Sequence, residues 1–187
     1  QTCALPIWIN LTVEGDLVSK PYLDATIATM RKFGVSVQTL IPYKKYNISP
    51  QIYKNTTFNV PIDFSSLALL LSFTVLNGQE VTIKGSMGNL PQGDEAFIDF
   101  IEQLGVSVTI NDNEIKIKSP EKLTGGTFDL RNSPDLLPPL AILSLNSTEP
   151  IEIVNVKHAR LKETDRISIL ARELPKIGII VEEKEDG

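Results

Sequence analysis

Apolar positions along this chain alternate between two helical designs separated by short β-branched runs. In the first design a polar helix start leads into an amphipathic stretch, an aliphatic-Gly-aliphatic stop and then a strand. The stops are Phe33-Gly-Val-Ser-Val37, Leu104-Gly-Val-Ser-Val108 and Ile177-Gly-Ile-Ile-Val181. Gly34, Gly105 and Gly178 recur about every 70 residues, the signature of an internal structural repeat. Each glycine suits the left-handed position that ends a helix, where a residue with a Cβ is strained.

In the second design Asp63 caps a run that continues to Leu76 and stops at Asn77-Gly78, with a strand following at residues 80–84. Asn132-Ser-Pro-Asp135 opens a run through Leu145 that leads into a strand at residues 150–154. These two strands again start about 70 residues apart, so the repeat reads roughly as strand, helix, strand, helix, then strands. Glu114-Ile-Lys-Ile-Lys118 alternates apolar and polar residues, which predicts a half-buried edge strand. The apolar run at residues 67–76 is broken by Ser72 and Thr74 and falls short of the ~20 residues that cross a bilayer; it predicts a buried helix. Pro175 lies inside the last helical pattern and lacks a backbone donor, which predicts a bend or an early end.

Composition narrows the class. Hydrophobic residues make up 42% of 187, enough for a globular core, and the net charge of −5 argues against a nucleic-acid surface. Anions would have to be held by local clusters of cations. Cys3 is the only cysteine and His158 the only histidine, so neither a disulfide framework nor a multi-His or Cys metal site is expected. With no bilayer-length apolar run and no signal-peptide pattern, the expected setting is cytoplasmic. The chain begins at Gln1, and Gln1-Thr-Cys-Ala-Leu-Pro-Ile7 has the look of a translated sequencing adapter. The start reads as a truncation, and residues 1–8 are compatible with either a native or a non-native origin.

Three short motifs carry candidate chemistry. Leu161-Lys-Glu-Thr-Asp-Arg166 packs two cations and two carboxylates into one helix entry. A helix starting near Thr164 or Asp165 makes Asp165 a cap and sets Lys162, Glu163 and Arg166 around the open first turn, where the dipole and free N–H groups favour a carboxylate or phosphate. Ser133-Pro-Asp-Leu-Leu-Pro-Pro139 places Asp135 in the first turn of a mostly apolar helix. Ser19-Lys-Pro-Tyr22 precedes a helix as an N-cap serine with an aromatic neighbour. Each motif alone reads as an ordinary charged or capped helix start; their co-occurrence in this order changes the reading. There is no glycine-rich nucleotide loop, since Gly85-Ser-Met-Gly88 is too short, and no nucleophile elbow.

Together the three motifs resemble the active-site signature of the 5-enolpyruvylshikimate-3-phosphate synthase family. The resemblance runs from about Gly15 to Glu183. It implies an α/β (α+β) fold of repeated βαβαββ units in two domains, here incomplete. Residues 1–62 would be the last part of one domain and residues 63–187 most of two units of the other. The implied activity is transfer of the enolpyruvyl group of phosphoenolpyruvate to the 5-hydroxyl of shikimate 3-phosphate, with release of phosphate. Asp135 and Glu163 would be catalytic, the first taking the hydroxyl proton and the second moving a proton at the methylene carbon. Ser19, Tyr22, His158, Lys162 and Arg166 would bind substrate, Arg166 pairing with phosphoenolpyruvate and Lys162 with shikimate 3-phosphate. Lys20 would add positive potential without being a direct ligand.

No cofactor or metal is implied, and the full-length protein is expected to be a monomer without nucleic-acid or membrane partners. Ile62 stands where the family's hinge segment usually has glycine before Asp63, with Ser65 and Ser66 following. A UDP-N-acetylglucosamine enolpyruvyl transferase-like enzyme and a non-catalytic module on the same fold are the rival readings. The chain alone, lacking part of each substrate's anion cage, is expected to be inactive.

Overall fold

The computed structural model describes residues 4–5, 7–86, 88, 90–111 and 113–187. Cys3, and Met87 of the Gly85–Gly88 stretch, lie outside the described residues. The chain forms two compact units, Gln1–Val60 with Gly88–Gly93, and Pro61–Met87 with Asp94–Gly187.

The first unit contains β1 (Ala4–Leu5), β2 (Ile9–Thr12), α1 (Lys20–Lys32), β3 (Gln38–Ile41), β4 (Lys45–Ile48) and β5 (Gln51–Ile52). β4 is the centre of a three-stranded sheet, antiparallel to β2 on one side and β3 on the other. β1 pairs with β5. The core is small: Ile27 of α1 packs with Val37 and Tyr46, supported by Val13, Leu23, Met30 and Ile48. The hairpin turns at Tyr43, whose φ is 58°; its N–H donates to Tyr46 Oη at 2.8 Å and its hydroxyl to Asp24 at 2.9 Å.

The second unit opens with α2 (Phe64–Leu76), followed by β6 (Glu80–Lys84), α3 (Ala96–Gln103), β7 (Ser107–Asn111) and β8 (Glu114–Lys118). β8 lies between β6 and β7 and is antiparallel to both. The order of edge strand, helix, edge strand and central strand is therefore the same in β2-α1-β3-β4 and β6-α3-β7-β8, as the glycine spacing predicts. The expectation of an edge position for residues 114–118 is corrected. Ile115 and Ile117 are fully buried, and that one apolar face marks a half-buried strand without distinguishing centre from edge.

β9 (Gly126–Asp129), α4 (Leu137–Ile142), β10 (Ile151–Val154) and α5 (Arg166–Glu173) complete the unit. β9 and β10 pair in parallel, and α4 lies in the crossover that such a pair requires. Gly125 permits the approach, because a Cβ there would lie 2.3 Å from the Pro150 carbonyl oxygen. α4 is flanked by 3-10 turns at Pro134–Leu136 and Leu143–Asn146. Pro134, Pro138 and Pro139 each lack the N–H that would extend a regular α-helical ladder. The large core joins α2, α3 and α4 to the sheet through Leu71, Phe97, Ile101, Phe128 and Leu140.

All three predicted stops are left-handed, with φ of 83° at Gly34, 94° at Gly105 and 93° at Gly178. After Gly34 and Gly105 a strand follows; after Gly178 none forms among the described residues. A strand needs a partner for its N–H and C=O groups, and none of the described strands pairs with residues 179–181; Ile180 is 99% exposed. The reading of α2 as a buried helix also needs correction. One face is buried through Leu67, Leu71 and Val75, whereas Leu69, Leu70 and Phe73 are 58%, 66% and 66% exposed. At Pro175 the helix ends early, α5 giving way to a 3-10 turn over Leu174–Ile177.

Candidate active site

Parallel strands deliver their carboxyl ends to the same side, and the loops that follow them meet there. β9 ends at Asp129 and leads through residues 130–133 to Asp135. β10 ends at Val154 and leads through Asn155, with φ 59°, and a 3-10 turn at Lys157–Leu161 to Lys162, Glu163 and Arg166. This topology brings together carboxylates and cations about thirty residues apart in the chain.

Asp165 is the N-cap of α5, its carboxylate accepting from the Ser168 N–H at 3.1 Å. Arg166 is thus the first helical residue, and its side chain turns back over the helix entry. Its Nη1 lies 2.7 Å from Asp135 Oδ1, while Nε and Nη2 hold Glu163 Oε1 and Oε2 at 2.9 and 3.0 Å in a two-pronged pair. Lys162 Nζ stands 3.4 Å from the same Asp135 oxygen. One guanidinium therefore bridges both candidate catalytic carboxylates, with an ammonium beside them. The Arg166 hydrogen bonds hold the Glu163 carboxyl below its ordinary range. Glu163, and then Asp135, raise Arg166 further against its own desolvation.

His158 occupies the 3-10 turn just before the cluster and is half-buried. Its Nε2 is enclosed without a hydrogen-bond partner among the described residues. Burial first, and then the positive charge of Lys162, push the imidazole pKa down. A neutral ring has one acceptor and one donor nitrogen, which leaves it suited to a polar ligand group. Across the strand ends, Asn155 donates to Asp129 at 2.7 Å and accepts from Arg131 at 3.4 Å.

Ser19 and Tyr22 belong to the other unit, and each is described there on its own terms. Ser19 holds the N-cap position of α1 as predicted, but in the left-handed region at φ 55°, and its side chain makes no capping hydrogen bond. Its carbonyl accepts the Tyr22 N–H at 3.1 Å. Tyr22 is 37% exposed, with a body that offers an aromatic surface. Lys20 places Nζ 5.0 Å from the centre of the Tyr43 ring.

At the start of α2, Asp63 accepts from the Ser65 N–H and the Ser66 hydroxyl, and Ser65 also donates to the buried Asp94. Ile62 donates its N–H to the Ser86 carbonyl at 3.0 Å, and its side chain fills the space where a Cβ on Gly85 would stand. The isoleucine at this position is thus accommodated by a glycine opposite. Among the described residues no group of three or more His, Cys, Asp or Glu is placed to hold a metal ion.

The sequence profile of the EPSP synthase (3-phosphoshikimate 1-carboxyvinyltransferase) family matches residues 9–187. The chain belongs to this family. Among curated relatives, the 3-phosphoshikimate 1-carboxyvinyltransferase of Nitrosopumilus maritimus is 77% identical over 179 residues, 96% of this chain and 42% of that protein. The enzyme of the same name from Methanosphaera stadtmanae is 38% identical over 183 residues. The chain therefore spans less than half the length of the synthases it matches. In structure it is similar to EPSP synthase from Acinetobacter baumannii, with a TM-score of 0.71, 22% identity, and coverage of 96% of this chain and 42% of that one. It is also similar to the enolpyruvyl transferase NikO from Streptomyces tendae, with a TM-score of 0.57 over 79% of this chain and 18% identity. Both show the enolpyruvyl transferase fold. No helix among the described residues is long and apolar enough to cross a membrane.

Sequence inspection passed over Arg160. It stands two residues before Lys162 and five before Asp165, and its guanidinium is held on every side. An arginine so placed before a helix cap was the available signal.

Proposed function

We propose that this chain is part of an enzyme that transfers the enolpyruvyl group of phosphoenolpyruvate to the 5-hydroxyl of shikimate 3-phosphate and releases phosphate. The observation that carries the reading is the cluster in which Arg166 bridges Asp135 and Glu163 beside Lys162. Residues 1–62 belong to one domain of the synthase and residues 63–187 to most of two units of the other. Ser19 and Tyr22 supply contacts to shikimate 3-phosphate from the first domain, and His158 and Lys162 supply them from the second.

The charges suggest how the site works. A phosphoenolpyruvate carboxylate matches the planar fork of Arg166 and competes with Glu163 for it. Once Glu163 loses that partner, its pKa rises towards the ordinary value and it can hold and deliver a proton. The 5-hydroxyl oxygen bonds to C2 as its proton passes to Asp135, while C3 takes a proton through Glu163. Loss of a proton from C3 then expels phosphate and leaves the enol ether. Closure of two domains would exclude water and complete the cage around both anions. The full-length enzyme works as a cytoplasmic monomer without metal or organic cofactor.

The test is phosphate release from phosphoenolpyruvate and shikimate 3-phosphate, measured on this chain and on the protein with its flanking coding sequence restored. The longer protein is expected to turn over and the chain alone to be silent, since losing several charged contacts at about 1.5–3 kcal/mol each removes most of the transition-state stabilisation. A restored protein that is inactive with shikimate 3-phosphate but active with another acceptor overturns the substrate assignment.

A further inference from the structure

Residues 162–164, which carry Lys162 and Glu163, form neither helix nor strand. Leu161 is exposed, so hydrophobic packing does not hold this loop either. Besides the pairs of Lys162 with Asp135 and of Glu163 with Arg166, its geometry is set at its ends, and both ends lead to one side chain. Arg160, in the 3-10 turn that ends at Leu161, places Nη1 2.9 Å from Asp165 Oδ2 and 3.2 Å from Oδ1, closing the loop with an ion pair across it. The same nitrogen lies 3.0 Å from Ser168 Oγ in the first turn of α5 and 2.8 Å from Glu183 Oε1. Nε donates to the Glu185 carbonyl at 3.1 Å and Nη2 to the Lys184 carbonyl at 2.5 Å. Its side chain is only 20% exposed. Glu183 Oε1 also accepts from Ser168 Oγ at 2.6 Å, so the network closes on itself.

Arg160 thus joins three segments: the turn that holds His158, the cap from which Arg166 projects, and the strap at residues 183–185. Its partners are Asp165, Ser168 and the strap, and these bonds reach none of Asp135, Glu163 and Arg166. We propose that Arg160 is a positioning residue: by clamping Asp165 and the strap, it sets the loop that aims Lys162 and Glu163 at the reacting atoms. The guanidinium suits this work because its planar donors can serve the cap carboxylate on one edge and two strap carbonyls on the other. A lysine ammonium has three donors at a single point and cannot span them.

This inference rests on the proposed function only for its catalytic readout. With the flanking coding sequence restored, Arg160→Gln is expected to lower kcat by roughly ten- to a hundredfold, the scale on which a misplacement of about 1 Å acts. KM for phosphoenolpyruvate should change far less. Hydrogen exchange of the amides at 162–165 should quicken at least about tenfold while those in the middle of α3 keep their protection. Arg160→Lys should recover only part of the loss, and added guanidinium ion should restore both readouts to Arg160→Ala. If Arg160→Gln fails to fold, Asp165→Asn carries the same expectation, because asparagine keeps the helix cap and removes the charge that Arg160 holds. Wild-type loop exchange in the variants, or quickened exchange with unchanged kcat, overturns the positioning role. Should the wild-type protein show no enolpyruvyl transfer, the proposed function falls, and loop exchange with its guanidinium rescue still decides whether Arg160 orders the loop.

Discussion

Arg166 shows why residue types matter more than charge alone at this site. A lysine in its place could meet Asp135 or one oxygen of Glu163, but could not present parallel donors to Glu163 while reaching Asp135. The pairs that hold Glu163 low also place its contribution to stability. Its folded pKa lies below the unfolded value, so the contribution is present above the ordinary carboxylate range and is lost as pH falls through the folded value. His158 works at a higher pH. Its folded pKa is depressed below 6.5 by burial and Lys162, so between the two values the unfolded chain binds more protons than the folded one. Stability is therefore full above 6.5 and falls as pH drops from 6.5 towards the folded value. His158→Gln is expected to flatten this segment, seen as a smaller difference in urea midpoint between about pH 7.5 and about pH 5.5 than in the wild type. An undiminished difference would show that another group carries it.

At the scale of elements, the glycine stops and the caps do separate jobs. Gly105 ends α3 at φ 94°, and the nearest atom to a Cβ built there is Pro120 Cγ at an ordinary 3.9 Å. Gly105→Ala meets backbone strain without a clash, and is expected to cost about 1–2 kcal/mol in urea unfolding, with the fold retained. A neutral result would mean that the position does not need glycine's freedom. Motif spacing made these stops legible because a left-handed helix end is a local requirement. α2 was legible only in part. Its sequence is apolar all round, which marks a helix destined for burial on more than one side. Its face of Leu69, Leu70 and Phe73 is open here because nothing among the described residues packs on it. Residues 179–181 fare similarly, being β-branched and apolar yet without a strand to pair with.

At the scale of the whole molecule, the two units differ in how much core they bring. The first relies on Ile27, Val37 and Tyr46, whereas the second assembles a larger core from four helices and two sheets. Burial drives folding roughly in proportion to the apolar area removed from water, so the smaller core supports less stability. In the isolated chain, amides of α1 and β4 are expected to exchange hydrogen well before those of α3 and β8, measured by mass spectrometry under native conditions. Equal protection in both units would contradict this ordering.

The sequence by itself determined the helix stops, the capping aspartates, the strands at 80–84 and 151–154, and which residues are candidates for the chemistry, because these depend on neighbours a few positions away. Tertiary structure decided what those residues do to one another. That β8 is central depends on which strands flank it, and alternation of apolar residues is the same in either place. That Asp135 meets Arg166 depends on the parallel pairing of β9 with β10, a contact between segments that no local pattern specifies. Arg160's place five residues before the Asp165 cap is local, but its role as a clamp was not legible in the sequence. Its partners Glu183, Lys184 and Glu185 lie more than twenty residues away, and it is the fold that brings them to the same guanidinium as the local Asp165.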